Sequence, residues 1–562
     1  MKKEKKVLWI MSWKFWFTLA TIIMLVAFTW SEKTIEEKQP SPSWSIGVES
    51  VTGLTSDYRK IDISINHDQS GFILTHISKE GIKLHKLDWY GRILEEELFE
   101  HDELNQLRVI EIESVDAGYY IYLSDRKKLE RLTVDATNLE VIDSQIVSEH
   151  SEHFSASGDI VVTGDDEITE FYDGLELIGT ADGYVNLKRL TLEVSERSIV
   201  AALNAEDGGR FVKISDGIME VIEATTVAEQ KTYGYYKDIY IENGVITIAS
   251  SLFDHLAPGT PTVMGIWQLD ESTSKELSFR PLYHVRTDLD PIITGVKDNQ
   301  VSYVLGALQT LDHINNGISR YPQTRGGQFT NISQYTRDGD IMIENSRLTI
   351  TRNYPVGYHY FETPNGPVLL WADKVDQTTN IYLAGEGAEW ISYAKQMHKT
   401  DYAMLILASV VAFVNNMFIG LVTLITKISP ILWVIVLVVV SALLYQRFAP
   451  FDDERKRQQV YYALILFTIG FKFYITAIDN SDFLFYGHIY PFLFGNPVVM
   501  IVLPLATSAY ALWMLYLWRR EHPYYTNQAL NYSLFLGFEI YIYMFGFMTY
   551  FVSALVKNNF MM

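Results

Sequence analysis

The chain has 562 residues, no cysteine, and a hydrophobic share of 48% of which aromatic residues make up 14% of the chain. Disulfides, thiolate metal centres and cysteine nucleophiles are therefore excluded, and the apolar share exceeds what a soluble fold requires, so part of the chain belongs in a membrane. The net charge of −22 is uneven: residues 32–398 carry 31 basic and 59 acidic side chains, a formal −28. Such a segment repels nucleic acid and anionic lipid headgroups at long range, and stays soluble in high salt or at high external pH.

The N-terminus reads MKKEKKVLWIMSWKFWFTLATIIMLVAFTWSEK, five lysines and one glutamate ahead of or within an apolar run that is charge-free from Phe15 to Ser31. Extended back over Val7–Trp13, a helix here crosses a hydrocarbon core of about 30 Å. The lysines place its start in the cytoplasm and the region after Ser31 outside. A cleaved signal peptide has the same pattern, but the bulky AFTW offers no small-x-small cleavage site. Residues 1–31 are therefore read as an uncleaved transmembrane anchor.

From 32 to 398 the pattern changes to short alternating runs broken by Gly, Asn and Asp, which predicts strands and turns. Three stretches superpose: GFILTHISKEGIKLHKLDWYGRILEEEL from Gly71, GYYIYLSDRKKLERLTVDATNLEVIDSQI from Gly118 and GDIVVTGDDEITEFYDGLELIG from Gly158. Weaker echoes begin at Gly208, Asn243, Asp298 and Asn365. Seven units across this region average about 52 residues each, close to the roughly 40–50 expected of propeller blades. The region resembles the broad β-propeller superfamily, although it lacks a Trp-Asp or Gly-His signature. That resemblance implies an all-β extracytoplasmic domain of about seven blades, and a pair of β-sandwiches is the alternative.

After Tyr402 five runs are long enough to span a bilayer: 403–426, 428–446, 460–478, 497–518 and 530–553. Residues 399–562 are thus read as an all-α polytopic membrane domain, with Phe483–Gly495 an interfacial or re-entrant piece. Six crossings in all put both termini in the cytoplasm. They also leave the basic loops QRFAPFDDERKRQ and WRREH outside, against the positive-inside rule. One non-crossing element between 403 and 446 would reverse that, but the short LITKISP turn suits two full crossings.

Two charges lie inside these apolar runs, Lys472 in LFTIGFKFYITAI and Glu539 in YSLFLGFEIYIYMFGF. An ionised side chain at the bilayer centre costs a few kcal/mol or more unless it finds a partner. With helix starts at Val460 and Leu530 the two depths differ by about 4.5 Å, and with one crossing between them the helices run parallel. The pair can meet inside the bundle as a neutralising lock between helices, or as an ion or proton relay or substrate counter-ion; the alternative is that the two side chains snorkel separately to water. Asn415 and Asn416 are also polar at membrane depth and suit interhelical hydrogen bonds.

Other chemistry is sparse. His150 and His153 in SEHSEHF have a spacing found in metal sites and equally in solvated turns. TGDDE at 163–167 and TDLDP at 287–291 lack a full calcium ligand series. No Walker A, GxGxxG, HExxH or GxSxG pattern is present, and the stacking and calcium signatures of a quinone-dependent propeller dehydrogenase are not seen. No catalytic residue and no cofactor is expected. The expected protein is a multi-pass bacterial cell-membrane protein whose extracytoplasmic propeller binds, scaffolds or senses, with the lipid bilayer and other membrane or cell-envelope proteins as partners. Its ligand is unassigned. The alternative is a transport or channel component that uses the Lys472/Glu539 pair.

Overall fold

The computed structural model describes most of the chain between residues 12 and 553. Outside the description lie 1–11, 183–188, 224–231, 255–262, 283–290, 308–330, 398–402, 479–496 and 554–562, most of 420–453, and shorter gaps. Two compact units are present, Gln39–His398 and a helical unit made of residues 1–38 and 399–560.

The first unit is a ring of seven four-stranded antiparallel sheets. Blade 1 comprises β2 (Ile61–Ile65), β3 (Gly71–Ile77), β4 (Ile82–Asp88) and β5 (Ile93–Phe99); blade 2 comprises β6 (Val109–Val115), β7 (Gly118–Ser124), β8 (Leu129–Asp135) and β9 (Val141–Ser148). Blade 3 holds β10 (His153–Ser157), β11 (Ile160–Gly164), β12 (Ile168–Asp173) and β13 (Glu176–Asp182), and blade 4 holds β14 (Arg189–Val194), β15 (Ser198–Ala205), β16 (Gly208–Ser215) and β17 (Ile218–Glu223). Blade 5 runs over β18 (Thr232–Glu242), β19 (Val245–Asp254), β20 (Val263–Asp270) and β21 (Glu276–Leu282). Blade 6 has β22 (Ile292–Lys297), β23 (Gln300–Ala307), β24 (Asn331–Asp338) and β25 (Ile341–Arg347). In blade 7, β26 (Tyr354–Thr363), β27 (Gly366–Val375) and β28 (Thr378–Gly385) are completed by β1 (Val48–Leu54), which pairs with β28.

Burial follows the position of a strand in its blade. The first strands of consecutive blades touch and line the middle, whereas β5 is solvent-facing almost throughout. β3, with all seven residues buried, has no polar face because a neighbouring blade covers each side; it reads GFILTHI rather than as a simple alternation. Each gap between blades holds its own apolar cluster, such as Ile73, Leu84, Ile112 and Tyr119 between blades 1 and 2. Another, with Val51, Phe72, Leu370 and Leu383, joins blade 7 to blade 1. A ring of this kind replaces the sandwich alternative. Hairpins take the turn chemistry expected of them: Asn243-Gly244 and Asp216-Gly217 have φ of 52° and 76°, and 51° and 72°, the paired positive values that favour these dipeptides.

Two expectations need correction, the phase of one repeat and the all-β make-up of residues 32–398. The echo at Gly208 is out of phase, since Gly208 opens the third strand of blade 4 and the second begins at Ser198. The β14–β15 turn is built without glycine: Ser195 Oγ accepts the N–H groups of Arg197 and Ser198 at 3.2 and 3.0 Å. The N-terminal helix α1 (Trp13–Glu36) continues past Ser31, because Glu32, Lys33 and Glu36 are good helix formers once the apolar run has ended. The all-β unit also carries a helix, α2 (Ala388–Met397), that buries Trp390 and Ala394 one turn apart.

In the helical unit, α3 (Glu454–Ile478), α4 (Pro497–Glu521) and α5 (Gln528–Tyr543) pack on one another around Leu464, Ala511, Met514, Tyr532 and Phe535. By length and composition, two described helical stretches can cross a membrane, Trp13–Ser31 and Ile501–Glu521. A shorter apolar helix covers Ile406–Asn416. Much of the expected span 403–426, most of 428–446 and all of Phe483–Gly495 fall outside the described residues.

Closure of the ring rests on the segment before β1. Trp44, 1% exposed, bridges Glu386 and packs with Val304, Leu369 and Trp371, while Ser45 N–H donates to Gly385 O at 3.0 Å. Trp44→Ala should cost about 3–5 kcal/mol and raise hydrogen exchange selectively in β28; unchanged protection there would show that the ring does not depend on this clasp. Gly385→Ala should destabilise as well, since its Cβ would lie 2.2 Å from Trp390 Nε1.

Candidate functional site

The structure brings Lys472 and Glu539 together at the centre of the helical unit. The buried stripe of α5 runs through Tyr532, Phe535, Glu539 and Tyr543, at helical spacing, and α3 presents Leu464, Thr468 and Lys472 four residues apart. Lys472 Nζ lies 2.5 Å from Glu539 Oε2, with side-chain exposures of 8% and 3%. It also donates to Thr507 Oγ1 at 2.7 Å, Ser508 Oγ at 2.9 Å and Pro504 O at 3.1 Å, and sits 5.9 Å from the centre of the Tyr543 ring. Thr507 and Ser508 follow from their place on α4: each hydroxyl bonds Pro504 O, at 2.9 and 3.1 Å. Glu539 Oε1 is buried and has no hydrogen-bond partner among the described residues. Breaking a buried pair of this kind by deleting one partner typically costs about 3–5 kcal/mol. Of the two asparagines, Asn416 is buried and its Nδ2 is 3.5 Å from Thr549 O, whereas Asn415 is exposed.

The propeller has a second polar arrangement, in the first strands of its blades. Asp62 on β2 accepts the Ile112 N–H of β6 at 2.7 Å. Glu111 and Glu113 on β6 accept the N–H groups of Ala156 and Gly158 in blade 3 at 2.9 and 3.1 Å. The same device recurs between blades 5 and 6, where Asp238 takes Ile293 N–H at 2.6 Å and Glu242 takes Val296 N–H at 3.2 Å. Burial pushes Asp62, Glu113 and Glu193 up to about 7, with Asp62 and Glu193 adding repulsion at Glu113, and Asp238 adding it at Glu193. These acids were missed in the sequence because an acid on every second strand position reads as a solvent-facing edge.

A further buried group joins β3 to β4. His76 Nε2 and His85 Nε2 are 3.2 Å apart, and His85 Nδ1 is 3.1 Å from Glu96 Oε1. Burial lowers His76 to about 4, so its ring stays neutral around neutral pH, and burial lowers His85 as well, against the opposing pull of Glu96.

No family model matches the chain, and no curated protein matches it. Among solved structures the chain is similar to the Dos1 propeller, with 14% identity over 60% of this chain and 81% of that one, TM-score 0.35. It is similar too to the WD40 domain of SCAP from fission yeast, with 10% identity over 61% and 97%, TM-score 0.36. A chain of the mitotic checkpoint complex gives 10% identity over 61% and 93%, TM-score 0.39. The seven-bladed ring stands on its own strand pairing and owes nothing to these likenesses.

The candidate metal ligands are not brought together. His150 Nδ1 pairs with Asp165 Oδ2 at 2.7 Å, His153 opens β10, and among the described residues no three His, Asp or Glu side chains converge on a common point. Asp165 of TGDDE accepts the N–H groups of Glu167 and Ile168 at 2.8 and 3.0 Å, the backbone role of a turn aspartate. TDLDP falls almost wholly outside the described residues.

Asp62, Glu113 and Glu193 set a pH dependence. Their folded pKa values lie above the unfolded ones, so their contribution to stability is complete below about pH 4 and is lost as pH rises through about 7. Glu113→Gln keeps an acceptor for Gly158 N–H and removes the charge. Its thermal midpoint should exceed that of the parent at about pH 8 and match it at about pH 4; equal shifts at both would mean that the effect is packing. His76 acts in the opposite sense, its contribution being complete above about 6.5 and lost as pH falls through about 4.

Proposed function

We propose that the chain is a multi-pass bacterial cell-membrane protein that displays its propeller outside the cell to bind a protein, glycan or peptide. The helical unit then anchors the propeller or passes its state to another membrane or envelope protein. The observation that carries this reading is the inside-out polarity of the helical unit. Ile22, Ile23, Val26 and Trp30 of α1 and Val498, Ile501, Val502 and Leu505 of α4 are exposed, while Lys472, Glu539, Thr507 and Ser508 are buried. Apolar outside and polar inside suits lipid, where ionisable groups face the bundle interior, and soluble proteins rarely expose contiguous apolar patches of this extent. An uncleaved anchor is supported by α1 packing into the bundle, with Trp16 and Trp513 ring centres 4.7 Å apart and Tyr510 Oη donating to Trp16 O at 2.7 Å. A propeller of formal charge −28 also suits the outer face, away from the anionic inner leaflet.

A second reading, a transport or channel component, is favoured by one observation, the buried Glu539 oxygen that has no donor among the described residues beside an ion pair. In that reading all five segments after residue 402 cross the bilayer and the pair lies on the conduction path.

The absence of native cysteine makes the topology directly testable. In intact cells a membrane-impermeant maleimide should label Asp143→Cys, on an exposed strand of blade 2, and leave Lys3→Cys unlabelled until permeabilisation. The reverse pattern would place the propeller in the cytoplasm. The two readings separate with the double variant Lys472→Leu/Glu539→Leu, which should keep anchoring and propeller binding in both but lose any ion flux in the second. Normal flux through the folded double variant rules the conduit out.

A further inference from the structure

Contacts along α1 give its direction relative to the other helices of the same unit. The rings of Trp13 and Phe538 are centred 6.0 Å apart, those of Phe17 and Tyr541 4.1 Å and those of Phe28 and Tyr550 5.3 Å, and a Cβ on Gly546 would lie 3.4 Å from Met24 Sδ. Residue numbers climb together, so α1 runs parallel to α5 and to the helical turns that follow it as far as Ser553. Against α4 the order is reversed: Trp13 N–H donates to Glu521 Oε1 at 2.9 Å, whereas Tyr510 Oη donates to Trp16 O at 2.7 Å. Thr468 beside Tyr532 at 2.8 Å and Lys472 beside Glu539 at 2.5 Å set α3 parallel to α5 as well.

Parallel helices enter a bilayer from the same side, so an odd number of crossings separates α1 from α3. Six crossings would put two between them and set α1 antiparallel to both α3 and α5. The sequence offers two apolar runs there, 403–426 and 428–446, which leaves one net crossing. The charges agree. Lys14, Arg455, Lys456, Arg519 and Arg520 are exposed at the end where α1 and α3 begin and α4 finishes, and four more lysines precede α1 in the sequence. The far end takes Glu32, Lys33 and Glu36 of α1 and, in the sequence after α3, Asp479 and Asp482. Basic residues gathered at one end are what the positive-inside rule demands, and six crossings break it.

We propose that the helical unit crosses the bilayer five times, through α1, one crossing between Met397 and Glu454, and then α3, α4 and α5. Its basic end lies on the side of residue 3, and residue 553 emerges on the side of the propeller. This rests on the reading above that the helical unit lies in a bilayer, and it leaves the second reading four crossings after residue 402 in place of five.

The experiment places single cysteines in the full-length chain and reads them in intact cells with the impermeant maleimide. Arg455→Cys and Tyr524→Cys, the latter at a residue 84% exposed, should stay unlabelled with Lys3→Cys and rise to the Asp143→Cys level on permeabilisation. Ser481→Cys and Asn559→Cys should label with Asp143→Cys. Two sites report each side, so a variant that fails to insert leaves the other to decide. The opposite pattern at these four sites, with Lys3→Cys still protected and Asp143→Cys still labelled, restores six crossings and overturns the proposal without touching the outside propeller. Labelling of Lys3→Cys, Arg455→Cys and Tyr524→Cys with the other three protected removes the outside propeller and keeps the five crossings. Equal labelling of Lys3→Cys and Asp143→Cys overturns both.

Discussion

A blade of this propeller has two apolar faces, and each can be buried only against another blade, so the ring has to close. The requirement is visible in β3 and β7, whose residues are buried on both sides, and in apolar clusters that lie between blades and not within them. A ring left open would expose two such faces at once. At about 25 cal/mol per Å² of apolar surface that loss is large against a total stability of roughly 5–15 kcal/mol. The chain meets it by sending β1 to the outer edge of the last blade, so that residues near 50 and near 380 share one sheet. Asn380 and Tyr382 both donate to Glu49 Oε2, at 3.2 and 2.8 Å, adding side-chain bonds to that junction.

Closing the ring brings the first strands into a narrow centre, and this explains the inner acids. Residues that alternate with the buried Ile110 and Ile112 of β6 must point inward. There they meet the N–H groups of the next blade. A carboxyl oxygen is long enough to span that gap, so Asp62, Glu111, Glu113, Asp238 and Glu242 each tie one blade to the next. Confinement raises the cost of charging two of them, Asp62 and Glu113, which is why groups that latch the ring also respond to pH.

Much of this was legible in the sequence where the signal is local. Gly71, Gly118 and Asn243-Gly244 mark hairpins because the turn or the close approach of strands demands them: a Cβ at Gly71 would lie 1.9 Å from Leu87 O. Where a side chain does the same work the phase is lost, as with Ser195 in blade 4. The roles of β1 and Trp44 were illegible for another reason, since their partners lie more than 300 residues away. Trp390 and Ala394 at i and i+4 signalled α2, but a single buried turn is easily absorbed into a strand reading.

Lys472 and Glu539 were conspicuous for a general reason: a charge inside an apolar run has to be compensated, and helix depth narrows the choice of partner. Thr507 and Ser508 were not, because each hydroxyl is satisfied within its own helix and looks neutral in an apolar segment. Yet they decide the character of the site. With Glu539 alone, Lys472 would form a simple ion pair between α3 and α5. Because α4 adds two hydroxyls and a carbonyl, the charge is held by three helices at once, and a motion of any one of them changes the coordination of the other two. The pair therefore couples the packing of three helices to a single buried charge, which a plain apolar lock of the same volume would not do.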